Sequence, residues 1–417
     1  MKKTKKRILL EYCKKRYSKN HMTSWLVWLL CGCWRGFLCR DNNKISTESC
    51  DVLILHPTSK SFRLKRLQKL IDSLKTSDVH VLETIALSEK QVVKKKACCG
   101  PFESGLLFRC YEGYANWLRK RYNPKIIITF RNGTVLSPFL KSKNNGDPIT
   151  FHMAHSVLTG QSSRFDMLDY DYYCLYGKSS FEYLKKLSYF FGSCQIILGG
   201  SYLFDKDFVL PPANSKSPLL FLGMGPELEE SSEGQKIYEL VRDWQKLNKR
   251  QLYVRLHQRS KGEFWTSLSQ KGIDILPVES FQVSASRASL VLSPYTNAVV
   301  DAALLGRPVQ LVALPNEQDF LQVEKFFGPR VFDSVGLDRA IARHLNNYKE
   351  SVDACRYFIE FHLEQGVDSL DYINTTILEL LAGHSVSGPK ITGETNQGSS
   401  IFLHKSQNSP STNSSKK

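Results

Sequence analysis

The 417-residue chain lacks the short motifs that assign a nucleotide-handling or hydrolytic class on sight. It has no GxxxxGK[ST] loop, which excludes a P-loop nucleotidase. No GxGxxG follows the first apolar stretch at residues 52–55, which excludes the usual dinucleotide fingerprint. A GxSxG elbow is also missing, and with it the serine-hydrolase arrangement. Cysteine occurs eleven times but never as tandem CxxC pairs. Cys31 and Cys33, and the adjacent Cys98 and Cys99, have the wrong spacing for tetrahedral zinc. An odd count in a chain too long to need staples points to reduced thiols in a cytosolic protein, with neither metal nor cofactor. Long hydrophobic runs are absent too. The strongest, residues 25–34, covers about half of the ~20 residues a spanning helix needs, and Arg35 interrupts it. No acidic or low-complexity body breaks the chain.

What is there is a core-forming sequence with a strong positive bias. The apolar fraction of 42% and charged fraction of 23% allow a full core, and the length favours two domains. Against 40 acidic residues stand 57 basic ones, a formal charge of +17, which attracts polyanions. Residues 1–20 alone hold Lys2, Lys3, Lys5, Lys6, Arg7, Lys14, Lys15, Arg16 and Lys19, with Glu11 the one acid. The apolar run beyond them carries Trp25, Trp28 and Trp34. Residues 1–48 are therefore expected to form an arm that docks on an anionic membrane surface, peripheral to its cytoplasmic face. The alternative is a first core element. Nucleic acid is not expected as a partner, because the basic residues cluster beside tryptophans instead of interleaving with aromatics over one surface.

From Asp51 onward, short apolar strands alternate with helical periodicity. Strands are expected at residues 52–55, 79–82, 125–129, 149–152, 171–176 and 195–198. A Pro- and Ser-containing linker at 211–218 follows, and the alternation restarts at 219–222, 251–256, 273–276, 290–292 and 309–311. This pattern predicts an α/β chain of two Rossmann-like domains facing a cleft. An N-terminal acceptor domain spans 49–210, a C-terminal donor domain 219–384, and a disordered tail 385–417. Ligands of open parallel sheets sit beyond the carboxyl ends of the strands, so chemistry is sought there.

The most informative segment is 292–309. A strand gives way to a polar turn, Ser293 to Asn297, and then to a helix whose free amides could cradle an anion. Thr296 or Asn297 could cap that helix, and Asp301, one turn on, could accept from a ribose hydroxyl. Upstream, Arg255, His257, Arg259 and Lys261 cluster where a strand meets a loop, which suits a diphosphate. In the first half, His155 stands after a strand as a candidate general base, with His152 as the alternative.

The 292–309 segment resembles the nucleotide-binding motif of the CDP-glycerol glycerophosphotransferase and capsular-polysaccharide transferase families, which have the GT-B fold. Tyr295, Asp301, Leu304, Leu305 and Pro308 stand in register with it. Pro294 replaces the family's first Asp, and Thr296-Asn297 replaces Ser-Ser. The strand leading to His257 resembles the His-Pro motif of these families and of bacterial sialyltransferases, with Gln258 in place of Pro. Residues 149–157 resemble the strand and His-Gly loop facing the cleft, with Ser156 in place of Gly. The resemblance implies a metal-independent transferase, one that moves a sugar or glycerophosphate from a nucleotide-activated donor to a saccharide or lipid-linked acceptor in cell-surface polysaccharide or glycolipid synthesis. It implies donor contacts by Arg255, His257, Lys261, Ser293, Thr296, Asn297 and Asp301, and catalysis by His155 or His152. A nucleotide-sugar epimerase and a non-catalytic binding protein are the alternatives on the same fold.

Overall fold

The computed structural model describes residues 3–18, 21–42, 44–142, 146–160, 166–187, 190–268, 271–294, 296–396 and 400–403. Two sheets carry the architecture. The first comprises β1 (Val52–His56), β2 (Val81–Ile85), β3 (Ile126–Thr129), β4 (Ile149–Met153), β5 (Tyr172–Leu175) and β6 (Ser193–Leu198). The second comprises β7 (Leu219–Leu222), β8 (Leu252–Arg255), β9 (Ile273–Ile275), β10 (Leu290–Ser293) and β11 (Val309–Leu311). β12 (Lys390–Asn396) and β13 (Ser400–Leu403) return to the first sheet, whose order is β13-β12-β6-β5-β4-β3-β1-β2; the second is ordered β11-β10-β7-β8-β9.

Pairing is parallel from β2 to β6 and throughout the second sheet. Parallel strands need helical crossovers that cover both faces, so their side chains are apolar on both sides. In β1, Leu53 and Leu55 enter the core on one face and Val52 and Ile54 the core on the other. The expected α/β chain of two Rossmann-like domains is what forms.

The segment after residue 362 crosses back. The Tyr348–His362 helix packs on the Ala298–Leu304 helix of the second domain and the Lys178–Lys185 helix of the first. The Ser369–Leu381 helix then lays Leu370, Ile373, Ile377 and Leu380 against β1 and the Gln68–Thr76 helix. Two glycines make this crossing close. A Cβ on Gly177 would lie 2.7 Å from the His362 carbonyl carbon. On Gly200, whose φ is +76°, it would lie 2.0 Å from Ser369 Oγ. Both glycines admit these helices at close range.

Three expectations change. The region from Ser385 is not uniformly disordered: Lys390–Thr392 pair antiparallel with β6, and Ile391 is buried. Apolar Ile391 and Val386 supply a register the polar composition conceals. The thiols are not all reduced, since Cys39 and Cys98 form a disulfide; their 59-residue separation left no pattern to read. Finally, within the expected arm, two helices, Lys3–Tyr17 and Met22–Leu38, fold onto the first domain. Leu9, Tyr12, Cys13 and Trp25 enter its core. Lys5 reaches the buried Asp169 at 2.6 Å, and Arg16 and the Tyr12 hydroxyl both meet Asp166. Part of the basic arm therefore anchors itself to the protein.

Candidate active site

In the second sheet the strand order reverses direction between β7 and β10, the switch point where adjoining crossovers leave to opposite faces and open a crevice. The β7 end runs into Gly223-Met-Gly225, the β8 end into Arg255 and His257, and the β10 end into the 293–297 turn. β7 and β8 finish very close together: a Cβ on Gly223 would lie 3.1 Å from the Arg255 carbonyl oxygen.

Asp301 is the charged group this arrangement strains. Burial lifts its carboxyl to about 7, while the neighbouring Arg255 guanidinium pulls the other way. Arg255 is itself held at a lower pKa by burial. It bonds Ser284 Oγ at 2.7 Å and the Glu279 carbonyl at 2.8 Å, which ties β8 to the start of the Phe281–Ser286 helix. Its first duty is thus positional. Asp301 also lies within electrostatic reach of Tyr176, at the end of β5 in the first domain. The Tyr176 hydroxyl accepts from Ser201 Oγ at 2.9 Å. The carboxyl therefore sits where the two domains meet.

His257 Nδ1 accepts from the Arg259 backbone N–H at 3.2 Å, which places the ring proton on Nε2. Burial and Arg259 both hold its pKa down. It is a neutral donor beside Gly225. The rest of the expected basic cluster disperses. Arg259 is engaged bidentately by Glu227 at 2.8 and 3.2 Å. Lys261 points outward, 83% exposed, near Glu263. The cluster is not gathered, because Glu227 draws off the Arg259 guanidinium, the Glu279 carbonyl and Ser284 hold that of Arg255, and Lys261 stays outside.

The 293–297 turn is also reassigned in part. Ser293 is fully buried and donates to the Pro294 carbonyl at 2.7 Å, so it faces protein and not a ligand. Thr296 Oγ1 accepts from the Ala298 N–H, acting as the cap. Asn297 is exposed and makes no capping bond. The helix that follows has only seven residues, which weakens the expected dipole cradle. Tyr295 lies outside the described residues. Pro294, Thr296 and Asn297 line one groove with Thr159 of the first domain and Phe320, so the turn does face across the domain boundary.

On the opposite wall the two histidines separate. His152 is wholly buried, stacked on Tyr170 at 4.2 Å. Its Nδ1 meets Thr129 Oγ1 at 2.8 Å and its Nε2 meets Asn132 Oδ1 at 2.7 Å. Burial drops its pKa to about 3. It is a neutral structural ring, and the alternative assignment of catalysis to it is corrected. His155 follows β4 directly and is exposed. The surrounding wall and Arg66 lower its pKa, so it is a free base at neutral pH.

Sequence reasoning missed three features. Arg66 sits in what the spacing marks as one helix. The chain instead breaks into the Ser59–Arg63 and Gln68–Thr76 helices around Lys65 at φ +48°. Tyr176 is visible only as part of a strand-Gly step. The third feature is a cleft of about 310 Å³ beyond β1 and β3, bounded by Arg16, Glu89, Tyr111, Arg131 and Asn132. Its walls come from five separate segments, so no local pattern announces it.

No family model matches this chain, and no curated protein does. Solved structures do resemble it. One is the Listeria monocytogenes protein assigned as a UDP-N-acetylglucosamine 2-epimerase, at 14% identity, 82% of this chain, 98% of that one and a TM-score of 0.53. Another is S. aureus MnaA, solved with UDP, at 10% identity, 82% and 99% coverage and a TM-score of 0.50. A third is the calicheamicin glycosyltransferase CalG4, at 10% identity, 81% and 99% coverage and a TM-score of 0.49. At such identities the likeness is one of fold. The chain has the GT-B fold. Among the described residues, no group of three or more metal-ligating side chains occurs.

Proposed function

We propose that this GT-B chain acts on a nucleotide-activated sugar or polyol, transferring that group to an acceptor hydroxyl. One observation carries the reading. Asp301, a carboxyl lifted to about 7 next to the switch point, lies within electrostatic reach of Tyr176 of the first domain, and the turn before it shares a groove with Thr159 of that domain.

In this reading the donor lies over the β7, β8 and β10 ends. His257 Nε2–H donates to a diphosphate oxygen, and Asn297 and Thr296 line the groove beside it. Asp301 orients a donor hydroxyl. His155 takes the proton of the acceptor hydroxyl as its oxygen attacks the transferred carbon. With a sugar donor, the bond from that carbon to the donor phosphate breaks and its electron pair leaves on the nucleotide; with a CDP-polyol donor, the acceptor oxygen instead attacks the polyol-side phosphorus, the P–O bond of the diphosphate breaks, and CMP leaves. Donors fixed in place stabilise that growing charge without reorganising. Arg255 acts through Asp301 and the 280–286 helix, not by direct contact. The finer assignment, a CDP-alcohol or sialyl-type donor used in capsule or other cell-surface polysaccharide synthesis, rests on the sequence resemblance alone.

The test is a thermal-shift series with UDP, CDP, CMP and GDP. One of them is expected to raise Tm, since a ligand that binds only the native state stabilises it by RT ln(1 + [L]/Kd). No shift with any of the four sinks the reading. Binding without turnover on any sugar nucleotide would leave a non-catalytic GT-B protein.

Asp301 also favours a second reading, epimerisation of a nucleotide sugar. A carboxyl titrating near 7 can remove and return a proton on a sugar carbon. Incubating the protein with UDP-N-acetylglucosamine in deuterated water separates the two: deuterium at C2 marks epimerisation, and release of UDP to an added acceptor marks transfer.

A further inference from the structure

The Met22–Leu38 helix turns two different apolar faces outward and inward. Trp25, Gly32 and Gly36 face the protein. A Cβ on Gly36 would lie 1.8 Å from the Leu106 carbonyl oxygen, so that side is pressed onto the first domain's backbone. On the other side Leu26, Val27, Leu30, Trp34 and Phe37 are each more than half exposed, Leu30 at 72% and Trp34 at 62%. At 100° per residue these five fall within one arc, and no charged residue shares it. The helix's single charge, Arg35, lies elsewhere and pairs with Glu89 at 2.8 Å. An apolar strip of this kind on the surface of a folded domain marks an interaction site.

The surroundings say what covers it. The Glu89–Lys94 helix packs against this one, and from its end Lys94, Lys95 and Lys96 are all exposed. Asn42 bonds the Lys96 carbonyl at 3.1 Å, which holds that lysine run beside the outgoing end of the helix, where Arg40 is also exposed. An apolar strip with a tryptophan, bordered by lysines and arginine, matches the acyl and headgroup layers of an anionic bilayer. A second copy fits badly, because a two-fold contact on this strip would bring the two lysine runs together in a protein of charge +17. Among the described residues, no helix is long and apolar enough to cross a membrane.

We infer that the outer face of the Met22–Leu38 helix lies in the interfacial layer of an anionic membrane, parallel to its plane. Arg35 stays at the protein side, and Lys94–Lys96 and Arg40 sit over the headgroups. The inference is independent of the reaction proposed for the cleft.

The experiment is flotation of the full chain with phosphatidylcholine vesicles containing or lacking phosphatidylglycerol. Binding is expected with the anionic vesicles and is weakened by salt. Leu30→Glu/Trp34→Glu should cut partitioning by about tenfold or more, while leaving the nucleotide-induced Tm shift unchanged. Lys94→Gln/Lys95→Gln/Lys96→Gln should reduce binding to anionic vesicles and remove its salt dependence. The inference is overturned if the chain stays unbound, or if the Leu30/Trp34 variant binds as the parent does. It is also overturned if the parent forms a dimer that this variant abolishes.

Discussion

Two histidines three residues apart, His152 and His155, show how position converts one side chain into two different chemical objects. His152 ends its strand inside the sheet, where Thr129, Asn132 and two tyrosine rings leave it no access to solvent. His155 has left the strand and is exposed. His155→Gln should lower kcat by about 10²–10⁴-fold with little change in nucleotide affinity, as removal of a general base does; steady-state kinetics beside the thermal shift would check it. His152→Ala should cost about 2–4 kcal/mol in urea unfolding, because it empties a packed site and strands the groups it bonds. Asp301 makes a prediction about pH. Its pKa rises from 3.8 to about 7 on folding, so the native state holds the proton more tightly. The stability this gives is complete below about pH 4 and is lost as pH climbs through about 7. Asp301→Asn should flatten that slope in unfolding measured from pH 4 to 8. The sequence placed His155 and Asp301 correctly at strand and helix ends. It could not foresee that Arg259 would be captured by Glu227, or that Ser293 would turn inward, because those partners meet only through the fold.

At the level of elements, the strands were readable because both faces of a parallel sheet are apolar. Runs such as Ile126–Thr129 and Leu219–Leu222 have no other environment to suit them. The Ser232–Asn248 helix was equally plain from its amphipathic spacing, and the structure adds the Ser231 cap. The first two helices were not, since residues 25–34 are apolar all round and sequence cannot say which side the protein takes. The fold takes the side of Trp25, Gly32 and Gly36 into the first domain and leaves that of Leu26, Leu30 and Trp34 exposed. The Gly177 step illustrates the opposite case: its glycine is required by the end of a helix, at His362, packed against it. Gly200→Ala should destabilise the chain by about 2 kcal/mol or more, through positive φ and contact with Ser369 together. Chemical denaturation would measure it.

For the molecule as a whole, the two sheets were legible and their fastening was not. The linker at 211–218 is strapped to the second domain: Arg307 bonds the Pro211 carbonyl, and Arg250 those of Ser215 and Ser217. Ala154, Val157 and Leu158 share one apolar cluster with Val299 and Val300 of the other half. The stretch before the linker is fastened on both sides as well, Gln282 bonding the carbonyls of Asp207 and Val209 and Lys206 meeting Asp371. The crossing near His362 has a consequence for the order of synthesis. A ribosome delivers β1 to β6 first, yet the helix that covers β1 and the Gln68–Thr76 helix is Ser369–Leu381, and the strand that closes the β6 edge begins at Lys390. A nascent first domain thus waits, with one face bare and one edge open, until residues 369–392 have been made. A fragment ending at residue 218 should aggregate or remain unfolded by circular dichroism, whereas supplying residues 219–403 in trans should restore a cooperative transition.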